Sequence, residues 1–261
     1  MARPVINSLL MGLRIAVRLM LLLPWVVVGL LSVSLAYPVL SPARRAWMNR
    51  NWSRVLLAIC GVRVSVSGDP ALQGAVLFVA NHVSWIDIFV MNAVRPTAFI
   101  AKSEIRRWPV VGWLVAGAGT LFIERGQRRA VHGVGLAMRT RFEQGQAVGL
   151  YPEGTTSDGL SLLPFHTSLF EPARFAGAPI QPLALLYAGN GARHAFPAFV
   201  GEETLVTNVC RILGAVRLTV RVQYLAPIVV DGSLTSAGAR AALSNQAYKA
   251  IANALGAPEG H

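Results

Sequence analysis

The residues of this chain best suited to chemistry stand together in the segment Asn81-His82-Val83-Ser84-Trp85-Ile86-Asp87. The imidazole of a histidine can take up a proton near neutral pH, and a carboxylate on its other ring nitrogen fixes the tautomer and stabilises the imidazolium. On one continuous helix His82 and Asp87 would point about 140° apart. A turn between them would fold His82 back toward Asp87, and the pair would then serve as general base and orienting partner.

The surrounding sequence predicts that this segment lies at the end of a strand. The six apolar residues Ala75–Ala80 indicate a buried strand that ends at Asn81, and α/β folds place their chemistry at such strand ends. A helix is predicted to start near Ser84, whose side chain would cap free amide groups, with Asp87 in the first turn. The alternative is structural, because Ser84 and Asp87 also resemble a helix capping box and His82 would then only be a hydrogen-bonded residue.

Polar residues follow three further apolar stretches. They are Lys102-Ser103-Glu104, Glu124-Arg125-Gly126 and Tyr151-Pro152-Glu153-Gly154-Thr155-Thr156-Ser157. Lysine and arginine there would contact phosphate oxygens, and the arginine fork can hold two at once. Glu153 would accept a hydrogen bond from a ligand hydroxyl or hold a cation in place, while Gly154 would let backbone approach closely. Each stretch alone also fits a solvated strand end or a turn, but together with His82 they predict one cleft.

Short apolar strands alternate with helical stretches along most of the chain. The predicted strands are 62–66, 75–80, 98–101, 120–123, 147–151, 180–187 and 217–224. The predicted helices between and after them are 109–116, 128–143, 168–175, 202–213 and 237–255. This alternation is typical of an α/β fold with a mixed, largely parallel sheet covered by helices. Without an internal repeat or a low-complexity linker, we expect one catalytic domain over residues 62–261, preceded by a membrane anchor and an amphipathic helix over residues 1–61.

The composition indicates contact with lipid. Of the 261 residues 54% are hydrophobic, and the mean hydropathy of +0.50 is high for an ordinary soluble protein. The formal net charge of +12 suits an anionic membrane surface, a phosphate-bearing substrate or nucleic acid. Nucleic acid is disfavoured as a partner because the arginines are dispersed and no recognised binding motif occurs. Cys60 and Cys210 have no metal-type or redox-type spacing, so we expect buried thiols, a reducing compartment and no metal site.

A membrane segment is predicted near the amino terminus. No charged residue occurs between Arg18 and Arg44, and the run Leu19–Leu40 is long enough for the roughly 20 residues that cross a bilayer. Pro24 and the pair Tyr37-Pro38 could divide it, so both a full span and a re-entrant helical hairpin are open. Arginines flank the run on both sides, and the positive-inside rule gives no orientation. A cleaved signal peptide is the other alternative.

A second helix follows this run. Ser41-Pro42 has the form of a cap and a first helical position, and Gly61 that of a stop. Between them tryptophans and aliphatic residues lie among arginines, a composition that indicates an amphipathic helix in the membrane interface. An ordinary surface helix packed on the domain is the alternative.

Four blocks of the sequence resemble, in order, those of the lysophospholipid acyltransferase family, which includes the bacterial 1-acylglycerol-3-phosphate acyltransferases. They are Asn81-His82-x-Ser84-x-x-Asp87, Gly119-x-x-Phe122-Ile123-x-Arg125, Tyr151-Pro152-Glu153-Gly154-Thr155-x-Ser157 and Ile180-Gln181-Pro182-Leu183-Ala184. The resemblance covers about residues 75–190. It implies an acyltransferase of lipid metabolism.

The resemblance also implies roles for single residues. The catalytic residues would be the general base His82 and its partner Asp87, with Asn81 and Ser84 supporting them. The residues that bind the polar head of the lysolipid acceptor would be Arg125, Glu153, Gly154 and Thr155. Two others would line the site: Pro182 at its floor, and Lys102 facing the acyl donor or a phosphate.

One departure from the family pattern concerns the acceptor. Members that act on a phosphate acceptor often have arginine where this chain has Thr156, and the run Gly154-Thr155-Thr156-Ser157-Asp158-Gly159 looks like the branch that includes lyso-ornithine lipid O-acyltransferases. The first expectation is 1-acylglycerol-3-phosphate, converted to phosphatidic acid, because Arg125 and Lys102 remain. Lyso-ornithine lipid is the alternative acceptor.

The expected mechanism is direct acyl transfer. The sequence has no Gly-x-Ser-x-Gly elbow, phosphate-cradling loop or catalytic cysteine constellation, so a covalent acyl-enzyme is not supported. His82 would deprotonate the acceptor hydroxyl, which attacks a thioester carbonyl, while backbone amides or Lys102 stabilise the oxyanion. Acyl-CoA or acyl carrier protein would be the donor, no cofactor is needed, and the site would lie on the cytoplasmic side of the inner membrane. A membrane scaffold without activity would need no His82.

Overall fold

The computed structural model describes residues 2–124, 128–189, 192–230 and 238–256. In these ranges the helices are α1 (Ala2–Leu31), α2 (Pro42–Ile59), α3 (Asp87–Asn92), α4 (Val111–Gly117), α5 (Arg128–Glu143), α6 (Glu171–Phe175), α7 (Leu205–Gly214) and α8 (Ala239–Leu255). The strands are β1 (Val62–Ser67), β2 (Val76–Ala80), β3 (Ala98–Lys102), β4 (Leu121–Ile123), β5 (Ala147–Leu150), β6 (Ile180–Gly189), β7 (Ala192–Arg193) and β8 (Leu218–Tyr224).

The strands form one mixed, largely parallel sheet, as predicted. Its order is β1-β8-β6-β2-β5-β3-β4, and β7 adds to the end of β6. The pairs on either side of β2 are parallel, whereas β6 and β8 are antiparallel. Ala80, at the end of β2, lies opposite Leu183, and Val79 lies opposite Leu150 of β5. The carboxyl ends of β2 and β5 therefore meet at one edge of the sheet.

Helices cover both faces of the sheet and enclose two hydrophobic cores. The first core takes side chains from α1, α2, α3 and α7, and the second from α5, α6 and α8. Residues of β2 alternate between them, with Phe78 in the first core and Leu77 and Val79 in the second. Because β2 is buried on both faces, its sequence is a continuous apolar run.

The amino-terminal helices form an antiparallel hairpin. Helix α1 runs through Pro24 without a break and is followed by a π-helical turn, Ser32–Ala36, and a 3-10 turn, Tyr37–Val39. The rings of Trp25 in α1 and Trp52 in α2 are stacked with centroids 6.3 Å apart, and each indole Nε1 donates to the backbone carbonyl of the other residue at 3.1 Å. Trp52 therefore fixes the hairpin instead of facing lipid.

The predicted limits of α2 are confirmed. Ser41 is the N-cap, Pro42 follows it, and Gly61 lies beyond the C-cap with φ +72°. Several other predicted limits differ from the structure: α4 starts two residues later, α7 starts after the capping residue Thr204, and 168–175 divides into a 3-10 turn and α6. The predicted start of the last helix, at residue 237, lies outside the described residues, and α8 begins at Ala239. Local caps decide such limits, and apolar spacing does not show them.

Helix α1 belongs both to the folded domain and to an apolar outer surface. Arg18 donates to the carbonyls of Leu213 and Ala215 at 2.8 and 2.7 Å, which satisfies free carbonyls at the end of α7. Leu22 is buried in the first core, whereas Leu9 and Met20 are more than 60% exposed. The segment Asn7–Val39 is long and apolar enough to cross a bilayer. This apolar helix indicates membrane association.

Candidate functional site

Asn81 sets the path of the chain where β2 ends. Its side chain is fully buried, its Oδ1 accepts from the amide of Leu185 at 2.8 Å, and its Nδ2 donates to the carbonyl of the same residue at 3.1 Å. The amide side chain thus continues the ladder between β2 and β6 past the last strand residue. The next residue, His82, is positioned by this connection to the sheet.

The turn after Asn81 brings His82 and Asp87 into contact. Nδ1 of His82 lies 2.8 Å from Oδ2 of Asp87, and the same oxygen accepts from the amides of Val83 and Ser84 at 2.7 and 2.9 Å. The turn therefore overcomes the angular separation that a continuous helix would impose. Since Nδ1 is occupied, Nε2 is the ring nitrogen that can receive a proton from a substrate hydroxyl.

The predicted cap by Ser84 was wrong. Helix α3 starts at Asp87, without a side-chain cap from the residue before it, and Asp87 itself accepts the free amides of the turn. The hydroxyl of Ser84 is buried and has no hydrogen-bond partner among the residues that the structure describes. The longer aspartate reaches back over three and four residues, and its negative charge makes it the stronger acceptor at a helix start.

Tyr187 is a member of this site that the sequence analysis missed. Its hydroxyl donates to Oδ1 of Asp87 across a gap of 100 residues in the chain. Asp87 is fully buried, so its carboxylate depends on the four donors that surround it: Nδ1 of His82, the amides of Val83 and Ser84, and this hydroxyl. Burial and the Asp87 carboxylate hold the pKa of Tyr187 well above its usual value, so Tyr187 stays protonated as a donor.

Two aromatic rings fix the plane of the imidazole. The ring of His82 stacks on that of Tyr151 with centroids 4.0 Å apart and planes 12° apart, and Tyr151 stacks in turn on Phe99 of β3. The hydroxyl of Tyr151 contacts the sulfur of Met91 in α3 at 3.4 Å. The side chain of His82 remains 20% exposed. The ring is therefore held in place yet open to a ligand.

Glu153 supports the backbone at His82. Its Oε1 accepts from the amide of His82 at 2.7 Å, and its Oε2 accepts from the amide of Leu163 at 3.0 Å. Burial raises the pKa of Glu153, and these two amide donors counteract the shift. The amide of Ser157 donates to the carbonyl of His82 at 2.7 Å. The loop after β5 thus holds His82 from both backbone groups, and head-group binding by Glu153 stays a prediction.

The other predicted residues that the structure describes differ in burial. Gly154 has φ +70°, a conformation that favours glycine, and Thr155 beside it is exposed. Lys102 is exposed at the end of β3, and Pro182 is buried in β6 opposite Val79. Arg125 lies outside the described residues. The structure therefore places Gly154, Thr155 and Lys102 at or just after strand ends, and Pro182 inside the sheet. The roles of these residues stay predictions.

Thr156, the departure from the family pattern, ties two segments together. Its hydroxyl donates to the carbonyl of Phe199, and the amide of Phe199 donates to the carbonyl of Val83 at 2.9 Å. The side chain is half-buried. A threonine here thus links the loop after β5 to the turn between His82 and Asp87.

We predict that Tyr187→Phe will slow turnover about tenfold and lower the free energy of unfolding by about 1.5–3 kcal/mol. That is the usual value of a hydrogen bond to a charged group, and here its loss leaves a buried carboxylate oxygen without its donor. The measurements are kcat and a urea unfolding curve. Tyr224→Phe is the matched control, because Tyr224 is as deeply buried as Tyr187 but packs on Phe78. Equal kcat values for the two variants would show that the hydroxyl of Tyr187 does not orient Asp87.

Known proteins resemble the chain over this region and beyond it. A family profile described as Acyltransferase matches residues 63–186. The lyso-ornithine lipid O-acyltransferase of Pseudomonas aeruginosa is 38% identical over 211 residues, which are 81% of this chain and 79% of that protein. The 1-acyl-sn-glycerol-3-phosphate acyltransferase of Neisseria meningitidis serogroup B is 43% identical over 175 residues, which are 66% of this chain and 68% of that protein.

A solved structure shares the fold. The crystal structure of the 1-acyl-sn-glycerophosphate acyltransferase of Thermotoga maritima aligns with a TM-score of 0.69 and 18% identity, covering 98% of this chain and 100% of that one. The likeness therefore includes the amino-terminal helices as well as the sheet.

Proposed function

The chain belongs to the lysophospholipid acyltransferase family, and from this premise we propose that it moves an acyl group from a thioester to the free hydroxyl of 1-acylglycerol-3-phosphate, forming phosphatidic acid. The observation that carries the proposal is the contact of His82 with the buried, four-donor carboxylate of Asp87 at a strand end. A base oriented in this way suits proton abstraction from a hydroxyl. Acyl-CoA or acyl carrier protein supplies the acyl group.

The reaction proceeds in two proton-coupled steps. Nε2 of His82 takes the proton of the acceptor hydroxyl while its oxygen forms a bond to the thioester carbonyl carbon. The tetrahedral intermediate carries a negative oxygen, which backbone amides or Lys102 stabilise. The intermediate collapses as the carbon–sulfur bond breaks, and the imidazolium returns the proton to the leaving thiolate. Asp87 stabilises the imidazolium between the two steps.

Lyso-ornithine lipid is the second candidate acceptor. It is supported by Thr156, which stands where an arginine would serve a phosphate acceptor, and by the relative from Pseudomonas aeruginosa, which is named for that reaction. The Neisseria relative, with higher identity over a shorter stretch, supports the phosphate acceptor. The deciding experiment incubates the purified protein and a labelled acyl-CoA or acyl carrier protein with both lysolipids. Transfer to lyso-ornithine lipid alone would favour the second acceptor over the first. If neither lysolipid is acylated, the proposed acyl transfer is contradicted.

The protein is proposed to work at the cytoplasmic face of the inner membrane. Thioester donors are cytosolic and the acceptor is an amphiphile, so both reactants meet at that surface. Residues 1–61 would act as the anchor and 62–261 as the acyltransferase domain, a division supported by the apolar helix α1. The net charge of +12 favours an anionic membrane surface.

We predict that Thr156→Arg will raise the preference for 1-acylglycerol-3-phosphate over lyso-ornithine lipid by about ten- to a hundredfold. A guanidinium can pair with the phosphate, and a charge-assisted hydrogen bond contributes on the order of 1.5–3 kcal/mol. The added cation is worth less beside the ornithine head group, which carries an amine. The measurement is the ratio of the two kcat/KM values.

Thr156→Val is the matched control, because it also loses the hydrogen bond to Phe199 but adds no charge. Thr156→Val should leave the ratio of the two kcat/KM values unchanged, even if it lowers the kcat/KM value for each lysolipid. If Thr156→Arg and Thr156→Val give the same ratio, position 156 does not face the acceptor head group. The support that Thr156 gives to lyso-ornithine lipid would then be lost, while acyl transfer itself would stand.

A further inference from the structure

A tryptophan-rich segment follows β3 and lies beside the amino-terminal hairpin. It consists of a 3-10 turn, Ser103–Arg107, the connecting residues 108–110, and helix α4. We propose that three side chains of this segment, Trp108, Val110 and Trp113, form a second membrane contact, here called the α4 patch, which inserts at the boundary between lipid acyl chains and head groups. The occupant of the patch is the bilayer itself.

The α4 patch is exposed although it is apolar. Trp113 is 71% exposed, Val110 46% and Trp108 39%. Tryptophan is enriched where membrane proteins meet the lipid head groups, because its ring is apolar and its N–H is polar. Val110 also has φ +65°, a strained conformation for a β-branched residue, and it is the only non-glycine residue with positive φ in the described ranges.

The α4 patch continues the apolar surface of the hairpin. Gly117 of α4 lies so close to Val33 that a methyl group there would clash, and Leu114 packs against Gly29 together with Trp52 of α2. Trp113 and Val33 line one small cavity of about 280 Å³. On the hairpin side of this contact, Leu31 and Leu35 are 53% and 69% exposed. Ser34 and Arg106 also line the cavity of Trp113 and Val33. The direct contacts of α4 with Val33 and Gly29 nevertheless keep the α4 patch beside the hairpin, so a bilayer that receives the hairpin also meets the patch.

Charges around the α4 patch match an anionic bilayer. Lys102, Arg106 and Arg107 are exposed next to it and outnumber the exposed Glu104. The guanidinium of Arg106 lies over the ring of Phe122, 5.6 Å from the ring centroid. This contact holds the positive charge of Arg106 next to an apolar side chain. Basic residues beside exposed tryptophans bind phosphate head groups while the rings enter the acyl region.

Contact at this patch would orient the catalytic edge of the sheet. The segment starts at the end of β3, and β3 pairs in parallel with β5, whose end carries Tyr151 and Glu153. The hairpin and the α4 patch would then contact the bilayer on two sides of one contact surface. A contact surface widened by the α4 patch restricts rotation about the hairpin, which a single helix does not.

The test measures depth in the bilayer by fluorescence quenching on the full chain. Single cysteines replace Trp113 or Trp108 in a Cys210→Ser background and receive a small environment-sensitive fluorophore. Cys60 does not react, because it is fully buried and burial raises its pKa to about 12. The protein is reconstituted into phosphatidylglycerol–phosphatidylethanolamine vesicles that contain lipids with a nitroxide on the acyl chain.

Two further positions calibrate the result. Leu35→Cys reports the hairpin, and Phe175→Cys is the matched control, because Phe175 is also apolar and 64% exposed but belongs to α6 on the opposite face of the sheet. We expect quenching at 113 and 108 to reach at least half of that at 35, with little at 175. If 113 and 108 are quenched no more than 175 while 35 is strongly quenched, the patch does not enter the bilayer and the proposal is overturned.

Discussion

His82→Ala is expected to lower kcat by about 10²- to 10⁴-fold while the affinity for the lysolipid changes little, since general base catalysis contributes about that much. The substitution removes Nε2 and leaves the rest of the site standing. The backbone of residue 82 stays held by Glu153 and by the amide of Ser157, so the turn should keep its shape. The measurements are kcat, and lysolipid binding to the variant.

His132→Ala is the control for this prediction. His132 is an exposed histidine on α5, which covers the other face of the sheet from α3. Its removal should change the free energy of unfolding by no more than about 0.5 kcal/mol, as is usual at a surface position, and should leave turnover near that of the unmodified protein. Near-normal turnover of His82→Ala, at intact folding, would rule out His82 as the base.

Asp87→Asn is expected to lower kcat by about 10²- to 10⁴-fold at little cost in folding, as judged from the effect of the same change in serine proteases. The amide oxygen can still accept from the amides of Val83 and Ser84, which the carboxylate does at 2.7 and 2.9 Å. The same oxygen would still face Nδ1 of His82, but it carries no full negative charge to stabilise a positive imidazolium. The NH₂ group would replace Oδ1, which is the acceptor of the Tyr187 hydroxyl. The measurements are kcat and the thermal unfolding midpoint.

This substitution separates two roles that the structure combines in Asp87. If the carboxylate served only to hold the start of α3, asparagine would replace it well and activity would survive. Loss of turnover at an unchanged unfolding midpoint would show that the charge is needed for the reaction. A large fall in the thermal unfolding midpoint would instead mean that the fold needs the ionised carboxylate of Asp87 to hold its four hydrogen-bond donors.

The sequence predicted the fold class because that information is local. Apolar runs such as Ala75–Ala80 and Ala147–Tyr151 gave strands within one residue of those observed, and 128–143 matched α5 at both ends. Strand length and apolar spacing depend on near neighbours in the chain. The pairing of His82 with Asp87 was predictable for the same reason, since five residues and one turn separate them.

The sequence did not predict which side chain accepts the amides in the turn before α3. Both Ser84 and Asp87 can accept amide hydrogens at a helix start, and the sequence favoured the serine as the cap. In the folded protein Asp87 accepts from these amides, while the hydroxyl of Ser84 is buried without a hydrogen-bond partner in the described ranges. The result depends on the whole set of donors around each oxygen, which spacing alone does not give.

What the sequence determined by itself is therefore the alternation of strands and helices, the apolar amino-terminal segment and the pairing of His82 with Asp87. The tertiary structure alone decided that Tyr187 donates to Asp87, that Glu153 holds the amide of His82, and that Arg18 closes the end of α7. These contacts span 71 to 197 residues. They form because strand order, strand register and the packing of helices bring distant segments together. These features depend on the complete sheet and its helices, and no single stretch of sequence determines them.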